Sequence, residues 1–152
     1  MEIREFHWLM NIVQNLDVGL FVLDRQFRIQ VWNGFMESHS GRQAATVRDR
    51  VLFELFDELD RAWFERKANQ VFTLNNRAFS TWEQRPYLLR FDNYRPITGS
   101  APFMYQNLTL VPLADFSGQV SHLGVMIYDA TDEAILLGQV RASQQASAGT
   151  PD

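Results

Sequence analysis

The chain contains no cysteine. That absence excludes disulfide cross-links, thiolate metal sites, a thiol nucleophile and any light reaction that joins a cysteine to a flavin. A basic excess is missing too: 14 Lys and Arg stand against 18 Asp and Glu, for a formal net charge of -4. Nucleic acids and anionic membranes call for a basic face that displaces counterions. The basic clusters here, Arg48-Asp49-Arg50 and residues 61–67, are laced with acids. No nucleic-acid binding is expected. Long apolar runs are also absent, since the longest covers residues 18–23 with Gly19 inside it. A spanning helix needs roughly 20 such residues, so no membrane insertion is expected. Glu2, Arg4 and Glu5 lie in an amphipathic stretch rather than in a basic flank before an apolar core. No signal peptide is read there, and the cytoplasm is the expected compartment.

What is present describes a globular chain. With 152 residues, 46% hydrophobic and 21% charged, it suits one domain that buries its own core without staples. Twelve Phe and four Trp supply more apolar area than so short a chain ordinarily needs inside. Part of it is free to serve an interface.

Periodicity then orders the elements. Ile3, Phe6, Met10 and Val13 recur at three- and four-residue spacing, which predicts a helix over residues 3–16. Trp8, Leu9, Ile12 and Leu16 widen its apolar face, so it needs covering on more than one side. Residues 18–24 (VGLFVLD) form a short buried strand. Residues 27–32 (FRIQVW) form a second, with Phe27, Ile29 and Val31 on one side and Arg28, Gln30 and Trp32 on the other. Asn33 stands where a helix cap belongs, and Gly41 closes the short helix it opens. Residues 51–59 suggest a brief helical turn. Asp60 then caps a longer helix over residues 61–74, with Trp63, Val71 and Leu74 inward and Glu65, Arg66 and Lys67 outward. Residues 77–85 and 87–91 are strand-like pieces interrupted by Pro86, and residues 92–102 read as a loop. Residues 103–113 and 120–129 form a hairpin about residues 114–119. Asp132 opens a last helix, reaching about Val140, and residues 143–152 read as a disordered tail. Two hairpins flanking a helical middle give an α+β class, an antiparallel sheet with helices on one face.

That order, with three particular words, resembles a PAS domain over about residues 16–131. The first word is VGLFVLD followed by FRIQVWNGFMESHSGR, an apolar strand ending in Asp24, a strand ending in Asn33 and a short helix ending in Gly41. The second is VLFELFDEL at residues 51–59. The third is LGVMIYDATDEA at residues 123–134, similar to a last strand running into an Asp-x-Thr junction, here Asp129 and Thr131. MYQNLTLVPL at residues 104–113 also looks like PAS domains that precede cyclic-di-GMP synthases or occur near response regulators. The resemblance implies a five-stranded antiparallel sheet, helices over one face with a pocket between, and flanking helices at both termini. It divides the chain into a dimerisation helix (1–16), a PAS domain (17–131), a signalling helix (132–142) and the tail (143–152). It implies a homodimer seamed by Ile3, Phe6, Met10 and Val13, a signal junction at Asp129 and Thr131, and a partner such as a kinase, diguanylate cyclase or response regulator.

The chemistry within that frame is sparse. Haem PAS domains take an axial histidine from the long helix or beside it, and residues 61–74 hold none; His7, His39 and His122 lie elsewhere. Haem is not expected, nor is a covalently photoreactive flavin, and no other cofactor is indicated. Glu54, Asp57, Glu58 and Asp60 form an acidic cluster that reads as a solvated surface, so no metal site is expected. Trp63, Trp82, Tyr105, Asn107 and Tyr128 are candidates to line a small-molecule pocket, being aromatics with polar tips and an amide set in an apolar strand. Gln106 is a second such amide, and a buried amide requires partners. Three readings stay open. The first is a non-enzymatic sensory module that relays ligand or partner binding. The second is a ligand-free adaptor, and the third a small cone-shaped α+β enzyme using His122, Tyr128 and Asp129. Tyr128 and Asp129 are adjacent on one strand and so face opposite ways, which weakens the enzyme reading and leaves no catalytic residue to name.

Overall fold

The computed structural model describes residues 2–92 and 101–148. In chain order, α1 (Ile3–Asn15) precedes a hairpin of β1 (Gly19–Asp24) and β2 (Ile29–Trp32). Four helices follow: α2 (Gly34–Ser40), α3 (Ala44–Val47), α4 (Leu52–Leu55) and α5 (Arg61–Leu74). Then come β3 (Ala78–Ser80), β4 (Gln106–Ala114), β5 (Val120–Asp129) and α6 (Thr131–Ala148). The sheet has five strands in the order β2-β1-β5-β4-β3, with every adjacent pair antiparallel. The α+β expectation holds.

One sheet face carries the core. Phe21, Leu23, Leu110, Leu123, Val125 and Ile127 are buried beneath Phe64, Ala68 and Val71 of α5, with Met36 and Leu52 closing the ends. Each such side chain contributes roughly 1.5–3 kcal/mol by leaving water. The helix ends are fixed by local chemistry. Asn33 Oδ1 accepts from the Met36 amide to start α2, and Gly41 ends it at φ 74, where its amide donates to the Glu37 carbonyl. That left-handed position favours glycine because a Cβ would crowd the backbone. Asp60 opens α5 by accepting from the Trp63 amide, and Asn75 closes it at φ 53.

Several expectations are corrected. Strand β2 starts at Ile29, because Phe27 lies at φ 63 in a turn whose amides donate to Asp24. Trp32 is buried with Ile29 rather than opposite to it. The pairing jumps from Val22↔Val31 to Leu23↔Ile29, so Gln30 is an inserted bulge residue that turns Trp32 inward toward Phe21. On α5 the inward stripe is Phe64, Ala68, Val71 and Phe72; Trp63 is half-buried and Leu74 is 63% exposed. The short helix α3 carried no signal of its own.

Of the strand-like pieces at 77–85 and 87–91, only β3 is a strand. Leu88, Leu89 and Phe91 are nonetheless buried, because a side chain takes the place of a neighbouring strand, as described below. Strand β4 begins at Gln106, with Phe103 making one bridge to Asp92. Helix α6 begins at Thr131 and continues to Ala148, well into the segment expected to be disordered. Residues 149–152, and most of the expected loop at 92–102, lie outside the described residues.

Candidate functional site

Two polar junctions tie the terminal helices to the sheet. At the first, Asn33 is 1% exposed and all its side-chain bonding capacity is directed inward. Its Oδ1 accepts from the amides of Leu20 (3.0 Å) and Met36 (3.3 Å). Its Nδ2 donates to the carbonyls of Val13 (3.0 Å) and Val18 (2.9 Å). Val13 lies in the last turn of α1, where carbonyls have no partner within the helix, so one amide side chain both ends α1 and starts α2. The contact is close: a Cβ on Gly34 would collide with the Gln14 carbonyl oxygen. Gln14 Nε2 also donates to Glu37 Oε1 at 2.7 Å, and Glu37 Oε2 accepts from the Ala44 amide. Beyond this anchored turn α1 buries nothing. Ile3, Phe6 and Met10 are exposed, as are Trp8 and Ile12, and Val13 is half-buried.

At the second junction, Asp129 Oδ1 accepts from the Thr131 amide at 2.9 Å. Thr131, 1% exposed, turns its Oγ1 back to accept from the Tyr105 amide at 3.1 Å, while the Ala130 amide donates to the Tyr105 carbonyl. The start of α6 is thereby tied to the residue before β4. The next residue, Gln106, is fully enclosed. Its Oε1 accepts from the Leu88 amide at 2.9 Å and its Nε2 donates to the Leu89 carbonyl at 2.7 Å. These bonds replace the strand that residues 87–91 do not form. They supply the partners that a buried amide at this position demands.

The five candidate pocket residues do not share one cavity. Trp82 and Tyr105 meet edge to face at 5.6 Å, and the Trp82 amide donates to Asn107 Oδ1 at 3.0 Å. Tyr128 pairs with Asn107 across β4 and β5, on the sheet face turned away from the core. Trp63 stands apart, with the Arg85 guanidinium 4.4 Å above its ring and Lys67 at 5.8 Å. Aromatic contacts continue from Tyr105 to Phe103 (4.8 Å) and from Phe103 to Tyr87 (5.0 Å). Trp82 and Tyr105 were expected in a pocket, but Phe103 and Tyr87 were not, since only the fold brings these segments together.

Charge within the site is modest. His39 lies 4.2 Å from the Phe35 ring and 5.7 Å from the Phe91 ring. Burial holds its imidazole below the ordinary pKa, and the Asp129 carboxylate partly offsets that. His122 Nδ1 is 2.8 Å from Ser121 Oγ, at the other end of β5 from Tyr128. In the β4–β5 turn, hydrogen bonds from Ser117 lower the Asp115 pKa. Among the described residues no group of three or more His, Asp or Glu could hold a metal, and no helix is long and apolar enough to cross a membrane.

This sheet order, with a capped helix after the first hairpin and an Asp-x-Thr turn into a terminal helix, defines a class of small α+β domain. A family model described as PAS fold matches residues 13–135, and the chain belongs to that family. Among solved structures it is similar to a sensory box sensor histidine kinase from Vibrio cholerae, at 26% identity and a TM-score of 0.60. That match covers 83% of this chain and 91% of the other. The PAS domain of BvgS from Bordetella pertussis matches at 16% identity and a TM-score of 0.61, covering 94% and 98%. An RNA-binding light-oxygen-voltage receptor matches at 17% identity and a TM-score of 0.64, covering 93% of this chain but 37% of that one. These last two likenesses speak to the fold alone. No curated protein matched the chain.

Proposed function

We propose that the chain is a non-enzymatic sensory module for signal transduction, which dimerises through α1 and relays binding to an effector through α6. One observation carries this reading. Each terminal helix is fixed to the sheet at one end by a buried hydrogen-bonding side chain, Asn33 or Thr131, while apolar side chains further along it face solvent. Ile3, Phe6 and Trp8 do so on α1, and Leu136 and Val140 on α6. Exposed apolar surface of this kind marks an interface. A helix held at its root transmits a small shift there to whatever it carries. Similarity to the Vibrio cholerae sensor histidine kinase supports a kinase as the effector; a diguanylate cyclase or a response regulator is the alternative.

The ligand-free adaptor is kept as a second reading because the space between sheet and α5 is filled by Phe21, Phe64, Leu110 and Ile127, each essentially inaccessible. Both readings place the output at α6. The test is a fusion of this chain to a histidine kinase core, comparing wild type with Thr131→Ala. The expected outcome is an altered autophosphorylation rate from a folded fusion of unchanged oligomeric mass. Unchanged output from a junction shown to be loosened would remove α6 from the relay.

A further inference from the structure

A small cavity opens between the start of α5 and the loop before β4, lined by Glu58, Asp60, Trp63, Arg85, Tyr87 and Leu88 among others. Its volume is about 190 Å³. That is several times the roughly 30 Å³ of a water molecule and below the roughly 300 Å³ at which pockets for drug-sized ligands begin. The walls bring opposite charges together on an aromatic floor. The Arg85 guanidinium carbon lies over the Trp63 ring, 4.4 Å from its centre, and Nη2 donates to Asp60 Oδ2 at 3.1 Å. Arg85 Nε is buried and has no acceptor. Among the described residues Arg85 therefore has a buried N–H donor to spare. Glu58 lines the same cavity and, among the described residues, forms no ion pair; the cavity's salt bridge is Arg85–Asp60.

From this pattern we infer that the cavity binds a small zwitterion, an α-amino acid. A simple carboxylate would meet Glu58 and Asp60, and a simple amine would meet Arg85. A zwitterion satisfies both: a slight turn of the guanidinium over the indole brings Nε to the ligand carboxylate, and Glu58 accepts from the ammonium. Trp63 and Tyr87 cover the α-carbon and a short side chain. The volume favours glycine, alanine or serine over larger members of the class.

The same cavity has a route to α6. Leu88 in its wall donates to Gln106, and Tyr87 leads through Phe103 to Tyr105, whose amide donates to Thr131 at the root of α6. This inference deepens the sensory reading and rests on it only for that consequence. Failure of amino acids to bind would leave dimerisation and the Thr131 test untouched.

The experiment is calorimetric titration and thermal unfolding of the full chain with glycine, L-alanine and L-serine at about 10 mM, with acetate and methylammonium as half-ligand controls. The expected result is saturable binding and a raised unfolding midpoint for at least one amino acid, and neither for the controls. Glu58→Gln, at an exposed position where folding is unaffected, should weaken that amino acid at least about tenfold. Arg85→Lys, which keeps the charge but loses the fork, should weaken it too. No binding by any amino acid of the panel would overturn the inference, as would equal binding of acetate or unchanged affinity in Glu58→Gln.

Discussion

The two terminal helices are rooted in different ways, and the difference suggests which one is free to move. Helix α1 is separated from β1 by residues 16–18 and held by side chains reaching across to it: Asn33 to Val13, and Glu37 to Gln14. Helix α6 follows β5 with one residue between them and is braced by its own Thr131 against Tyr105. Loss of a few polar bonds therefore detaches α1 without disturbing the sheet ladder. Helix α6 shifts only with the strand that leads into it. In the function proposed above, α1 would be the adjustable seam and α6 the lever coupled to the sheet.

The comparison is broken most severely at Asn33. Replacing it with Ala orphans amides of Leu20 and Met36 and carbonyls of Val13 and Val18 together. Since each buried group left unpaired costs about 1–3 kcal/mol, a loss of about 3 kcal/mol or more is expected in urea unfolding. Gly34→Ala sharpens the point, because its Cβ would collide with the Gln14 carbonyl and so displace α1 selectively. Amide exchange should speed up in residues 3–15 while the core strands stay protected. Comparable exchange in β1 and β5 would show that α1 is not separable.

Thr131→Ala acts at the other root, leaving the Tyr105 amide without its acceptor. About 1–2 kcal/mol of stability should be lost, with faster exchange at Tyr105 and the start of α6. A variant as stable as wild type, with unchanged exchange, would mean that Thr131 braces nothing.

The smallest expected effect is a pH dependence at His39. Its pKa is lowered from 6.5 chiefly by burial, so below that value the unfolded chain binds the proton more readily than the folded one. The contribution is complete above about pH 6.5 and fades as the pH falls through the lowered folded pKa. His39→Gln should flatten that part of a stability–pH profile measured from pH 8 downward. A steeper fall in the variant would contradict this origin.

Much of the fold was legible because its signals are local. Asn33 and Asp60 cap helices by accepting from an amide three residues on, Gly41 ends one through its left-handed backbone, and β5 spans the residues expected of it. What stayed hidden depends on partners distant in sequence. Gln30 becomes a bulge only when β1 and β2 are in register. Residues 87–91 look like a strand because they are apolar, yet Gln106 takes up their backbone groups from far along the chain. Asn33 was legible as a cap for α2, whereas its grip on α1 needed the approach that Gly34 permits. The candidate site was the least legible, since Trp63 joins Arg85 rather than Trp82 and Tyr105.

Everything proposed for signalling depends on the uncovered side of α1 meeting a second copy of this chain. Light scattering coupled to size-exclusion chromatography tests that directly, comparing wild type with Phe6→Glu/Met10→Glu. The account predicts a mass of two chains for the wild type and of one for the variant, with unfolding midpoints that differ little once monomers are compared. A monomeric wild type, or a variant that keeps the doubled mass, would contradict it.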